Sequence, residues 1–248
     1  MTSHKLSSIN IFSYGFVATP LAALYFPVYV FLADFYADQY GLSLFGIGLV
    51  FIAVRLFDAF SDPIIGFISD RSMYLFRSRK PWLLIGSPLV MVSAWYLFYP
   101  SHEQDIGVSY LFVWLFLLTT GWTIVLTPYF SLGAEISCEY VERSRITLVR
   151  EALALIGTVF AAILYARAED STEGLKHIAI FVVTVLPITV VICSIFVKEI
   201  KFLTSTSKSI RSSVYSLIEA FRCEPLFSKL LIAYFINGAA NALPAALF

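Results

Sequence analysis

Apolar residues gather into seven windows along the chain, each near the ~20 residues that a helix needs to cross a bilayer, and polar residues collect between them. The windows run over 10–35, 44–68, 81–99, 108–132, 146–166, 178–197 and 230–248. The first is too long for the apolar core of a secretory signal and is followed at once by further spans, so it reads as a retained helix. Pro20 and Pro27 predict kinks in it rather than breaks. The outer connections, 36–43, 100–107 and 167–177, are short, and helices so tightly linked pack as one bundle. Beyond Val197 a polar stretch rich in Ser and Thr carries Ile210, Val214, Leu217, Ile218 and Phe221 at helical spacing, the pattern of an amphipathic surface helix. The expected architecture is an all-α membrane protein with a six-helix bundle over 1–197, a cytoplasmic linker over 198–229 and a seventh span over 230–248. That last run stops at Phe248 without a flanking charge or aromatic anchor, which predicts a truncated second half.

Composition agrees with the pattern. Hydrophobic residues make up 59% and charged residues 14%, against about 25% charged in a soluble domain. The formal net charge is zero, which gives no basic groove for nucleic acid. What matters is where the charges lie. Lys5, Arg71, Arg77, Arg79, Lys80, Arg143, Arg145 and six further Lys or Arg between Lys198 and Lys229 fall on one side of an alternating topology, against Arg167 and Lys176 on the other. The positive-inside rule then places the N-terminus and the linker in the cytoplasm of a plasma or inner membrane. Cys138, Cys193 and Cys223 are scattered and suggest neither a disulfide frame nor a metal cluster. His4, His102 and His177 lie far apart at helix ends, and no nucleophile elbow, zinc-protease helix or phosphate-binding loop occurs. The reading is a transporter and not an enzyme, with no cofactor beyond a coupling ion and an ion gradient as the driving force.

The second window holds the chain's most telling charges, Arg55, Asp58 and Asp62. On a helix they fall within roughly a 60° arc of one face. An ionised group at mid-membrane costs about 3 kcal/mol on insertion scales, so such groups face partners, water or an ion. Two carboxylates against one guanidinium leave one negative charge, which a bound cation or a proton would neutralise. A second reading is an ion pair that only locks helices together, but it leaves Asp62 without a counter-charge.

The run Arg55-Leu-Phe-Asp58-Ala-Phe-Ser61-Asp62-Pro63-Ile-Ile-Gly66, followed by Asp70-Arg71-Ser72 and Arg77-Ser-Arg79-Lys80-Pro81-Trp82, resembles the second helix and next loop of the glycoside-pentoside-hexuronide:cation symporters. These belong to the major facilitator superfamily and include the melibiose carrier. Thr127-Pro-Tyr-Phe130-Ser-Leu-Gly-Ala134 and Glu142-Arg143-Ser-Arg145 leading to Arg150-Glu151 are similar to that family as well. The resemblance implies a six-helix bundle built as a 3+3 inverted repeat. It implies a cation site at Asp58, Ser61, Asp62 and Thr123, with sodium held by Asp58 and Asp62, and Ser61 standing where the usual member has asparagine. Solute contacts would fall on Arg55, Asp58, Asp62, Phe130 and Arg150, and a gating loop on Gly66, Asp70, Arg71, Arg77, Arg79 and Lys80. Ala22, Leu126 and Phe130 occupy positions that carry two acids and a tryptophan in the melibiose carrier. A buried site that loses such acceptors binds a polyol poorly.

Plainer roles stand beside these. Arg150 lies about a turn from the apparent start of its helix and can snorkel to the surface. Thr123 can serve as a packing hydroxyl, and Asn237 and Asn241 as an amide pair on one face of the seventh run. The Arg77–Lys80 cluster and Glu135, Glu139 and Glu142 read most simply as solvated cytoplasmic loops, and the tryptophans with the fourteen tyrosines as interface belt and packing. The functional expectation is cation-coupled symport, on sodium or protons, of a small organic solute such as a sugar or glycoside. The alternative is a half-transporter that does not itself transport, an interaction protein waiting for its other half.

Overall fold

The computed structural model describes residues 6–76, 78–100 and 106–199, together with 229 and 233. Two compact units divide at Lys201 and Phe202. In the second only Lys229 and Ala233 are described, both helical and exposed. Arg77, Cys223, Asn237, Asn241, the amphipathic stretch of the linker and the seventh run lie outside the described residues.

The first unit is all helix among its described residues. Its elements are α1 (Ser8–Gly15), α2 (Ala18–Val30), α3 (Leu32–Tyr40), α4 (Leu44–Phe76), α5 (Lys80–Phe98), α6 (Val108–Glu135), α7 (Tyr140–Ala166) and α8 (Ser171–Phe196). Six stretches are long and apolar enough to cross a membrane, the first made of α1 and α2 together and the others of α4 to α8. The protein is therefore a multi-pass membrane protein, as its composition requires.

The first span is interrupted at Phe16 and Val17, one turn before Pro20, while Pro27 lies inside α2. Pro20 brings no N–H to the carbonyl of Phe16, and the chain answers with a tighter turn in which Thr19 N–H donates to that oxygen at 3.2 Å. Phe16 and Val17 keep right-handed helical dihedrals, so the path is distorted and not broken. Several expected loops prove to be helix. Tyr36 to Tyr40 belong to α3, where the Tyr36 hydroxyl donates to the Leu97 carbonyl at 2.9 Å. Gly41 ends that helix at φ 65°, a left-handed position that glycine adopts without cost. The N-terminus of α8 reaches back to Ser171 because the Asp170 carboxylate accepts from the Glu173 N–H at 2.6 Å, a side-chain N-cap.

Contacts between the spans follow an inverted repeat in part, although α7 packs on α8 with no comparable contact of α4 on α5 among the described residues. The first span packs on α7 as α6 packs on α4, the first span meets α8 as α6 meets α5, and α5 and α8 pack on each other. Those pairs exchange under a two-fold that maps the first three spans on the last three. The spans left least covered are the second and fifth, with 22% and 17% of their apolar windows buried. A close backbone approach joins α2 to α7. A Cβ at Gly157 would stand 2.1 Å from the Thr19 carbonyl oxygen, while the Thr19 hydroxyl donates to the Leu153 carbonyl at 3.2 Å.

Gly157→Ala should therefore lower the stability of the detergent-solubilised protein by about 1–3 kcal/mol, the usual cost of overpacking. Gly48→Ala, whose Cβ would meet nothing within 4 Å, should leave the thermal midpoint unchanged or higher. Equal midpoints for the two variants would refute the close approach.

Candidate cation and solute site

Asp58 sits midway along α4 on the face turned to α6. Its Oδ1 accepts from the Thr123 hydroxyl at 2.9 Å, and its Oδ2 lies 3.6 Å from Nη1 of Arg55. Two of the four expected cation ligands thus meet across a helix pair. Ser61 is buried at 6% exposure and turns its hydroxyl back to donate to the Asp58 main-chain carbonyl at 3.2 Å. Asp62, one turn beyond Asp58, is exposed and makes no hydrogen bond or ion pair among the described residues. Pro63 inside α4 leaves the Ala59 carbonyl without its helical donor. The candidate ligand atoms of Asp58, Ser61, Asp62 and Thr123 are all oxygen, and hard monovalent or divalent cations prefer oxygen.

A cavity of about 60 Å³ opens beside Asp58, lined by Arg55, Thr119 and the rings of Tyr25, Tyr29, Phe51 and Trp122. Arg55 lies over the Tyr29 ring, its Cζ 4.6 Å from the centroid. Tyr25 touches both Tyr29 and Trp122, at 4.3 and 5.6 Å between centroids. The sequence reading assigned tyrosines and tryptophans to packing and the membrane interface and so missed this group. The i, i+4 spacing of Tyr25 and Tyr29 was the available signal.

Arg150 does not reach that cavity. It lies over the Phe130 ring at 4.6 Å, bonded to Glu151, and lines a separate cavity of about 180 Å³ with Tyr14, Gly133, Arg143 and Thr147. The residues expected to grip solute therefore form two groups, Arg55, Asp58 and Asp62 on α4, and Arg150 with Phe130 between α7 and α6.

The loop between α4 and α5 is no solvated tail. Arg79 is 9% exposed and pairs with Asp70 and Glu135, both at 2.8 Å. Its Nε also donates to both oxygens of Glu135 at 3.0 Å, and its Nη1 to the Ser69 hydroxyl at 3.2 Å. Burial works against the charge, but the hydrogen bonds to Glu135 and Asp70 outweigh it and hold the guanidinium above its ordinary pKa. Lys80 caps the end of α8, its Nζ donating to the Ser194 carbonyl at 2.9 Å and to that of Val197. A Cβ at Gly66 would meet the Thr127 methyl at an ordinary 3.5 Å, and Arg71 is exposed. Surface solvation fails for two of the three glutamates as well. Glu135 anchors Arg79, and Glu142 is 4% exposed inside the first turn of α7, paired with Arg145 at 2.8 Å.

Residues 13–248 match the family described as MFS/sugar transport protein. The chain belongs to this family of major-facilitator transporters. Its relatives include the inner membrane symporter YicJ of Escherichia coli, 28% identical over 66% of this chain and 36% of that protein. The putative glycoside/cation symporter YagG of the same organism is 30% identical over 59% of this chain and 32% of its own length. The sodium-dependent lysophosphatidylcholine symporter 1 of Mus musculus is 26% identical over 62% and 30%. The chain spans about a third of the length of the relatives it matches. The family is that of the glycoside-pentoside-hexuronide:cation symporters within the superfamily, a family of transporters and not of enzymes.

Arg79→Gln should lower stability by about 1–3 kcal/mol, because Glu135 loses a charge-assisted partner. Arg79→Lys should recover less than half of that, since an ammonium cannot make the two-toothed contact. Thermal unfolding measures both, and a wild-type midpoint for Arg79→Gln would overturn the structural weight given to this cluster.

Proposed function

We propose that the protein is part of a cation-coupled symporter for a small organic solute, working by alternating access, with its N-terminus in the cytoplasm. The observation that carries this reading is the Asp58 group: a carboxylate inside an apolar span, half satisfied by Thr123, with Asp62 left without a counter-charge one turn away. A sodium ion or proton completes the charge, and the oxygen donors suit either. With the cation absent, moving two carboxylates through a closed, dry state is costly. Binding the cation removes that cost and favours solute binding by linkage. Arg55 and the aromatic cavity on one side, with Arg150 and Phe130 on the other, supply the solute contacts. The Asp70–Arg79–Glu135 cluster, with Gly66, Arg71 and Lys80 on the same two helices, holds the closed form on the cytoplasmic side.

The naming of relatives as symporters supports the coupling, and two solute classes appear in those names, glycosides and lysophosphatidylcholine. A sugar fits less well here, because Ala22, Leu126 and Phe130 offer no hydroxyl acceptors. The second and fifth spans, exposed along most of their length, are where a second bundle would pack to close the cavity.

In vesicles holding the full-length protein, Asp58→Cys and Asp62→Cys should each abolish gradient-driven uptake while insertion into the membrane stays at wild-type level. The panel to test comprises sugars, organic acids and lysolipids, each with and without sodium and across pH. Full uptake by either variant would remove that aspartate from the coupling site.

A further inference from the structure

Asp58 uses its two oxygens differently. The Thr123 hydroxyl holds Oδ1 at 2.9 Å, within hydrogen-bond range, whereas the Arg55 guanidinium stops 3.6 Å from Oδ2, beyond it. Arg55 lies on the same helix three residues earlier, a spacing that allows full contact between such side chains. Something keeps it back. The guanidinium lies over the Tyr29 ring of α2, 4.6 Å from the centroid. That ring is fixed in turn by Tyr25 at 4.3 Å and by Phe51 at 6.5 Å. A cation over a tyrosine face is attracted by the ring quadrupole, so Arg55 is shared between the π face, the Tyr25 hydroxyl beside it and the carboxylate. Its side chain is 49% exposed, which leaves it room to move between them.

We propose that Tyr29 is a positioning residue for the cation site: its ring holds Arg55 short of Asp58, so that the built-in guanidinium competes only weakly with the incoming ion for Oδ2. This rests on the cation-site reading above and adds to it what sets the affinity. An ion entering at Oδ2 displaces the guanidinium, and the ring is where the displaced charge goes. Without the ring, Arg55 closes on Asp58 and becomes the stronger competitor. Without Arg55, the ring has nothing to hold, and its effect on the ion disappears.

A double-mutant cycle separates this from a packing role. Sodium chloride is titrated into the purified full-length protein by calorimetry at constant ionic strength. Tyr29→Leu should weaken sodium binding about fivefold, the scale of one cation–π contact, and Tyr29→Phe, which keeps the π face, should stay within about twofold of wild type. Arg55→Gln should bind sodium more tightly than wild type. In the Arg55→Gln background the Tyr29→Leu change should shift the affinity by less than about twofold. An equal shift in both backgrounds, or none in either, overturns the proposal and leaves Tyr29 a packing residue. Asp58→Asn that binds sodium like wild type overturns the cation-site reading itself, whereas a wild-type protein that binds no sodium leaves only the proton at the site and overturns the competition proposed here.

Discussion

A carboxylate placed inside an apolar span must find compensation within a few ångströms, because hydrocarbon offers none. Asp58 finds half of it in the Thr123 hydroxyl and part of the rest in a guanidinium that stays out of hydrogen-bond range. Asp62 adds a second negative charge one turn on and has no partner among the described residues. The contrast with Arg79 is instructive. That guanidinium is buried, bonded through Nε and both terminal nitrogens, and paired with two carboxylates. One polar group is fully paired, and the other keeps a carboxylate oxygen outside hydrogen-bond range of its nearest cation.

The repeat packing explains where these groups lie. With α5 and α8 against each other and the first and fourth spans each covered by two neighbours, the second and fifth spans keep an uncovered face. Arg55, Asp58 and Asp62 sit on the second, Arg143 and Arg150 on the fifth. These charged side chains thus lie on the two helices that the bundle covers least. The aromatic rings do related work. Tyr29 under Arg55 and Phe130 under Arg150 give each guanidinium a soft seat, and Tyr14 and Tyr129 stack at 4.4 Å and exchange hydroxyl-to-carbonyl bonds that pin α1 to α6.

Six spans and their order were legible in the sequence, because hydrocarbon thickness fixes the length of an apolar run whatever packs beside it. Their ends were not. Tyr36 to Tyr40, Tyr140 to Arg145 and Ser171 to His177 read as polar loop yet continue the helices, since caps such as Gly41 and Asp170 and the Tyr36 bond to Leu97 satisfy backbone groups that hydropathy does not see. Glu135 and Arg79 looked like surface charges for the same reason. Their partners lie 56 residues apart in the chain, and no local pattern announces such a pair.

The sequence by itself determined the helix-forming spans, the charged stripe on the second of them and the family, because burial of charge in an apolar run is costly wherever it occurs. Tertiary structure alone decided which oxygen meets Asp58, which ring lies under Arg55, and that Arg150 belongs to a different cavity. Those are distances between helices, set by how close small residues such as Gly157 let the backbones approach, and helix periodicity carries no information about them.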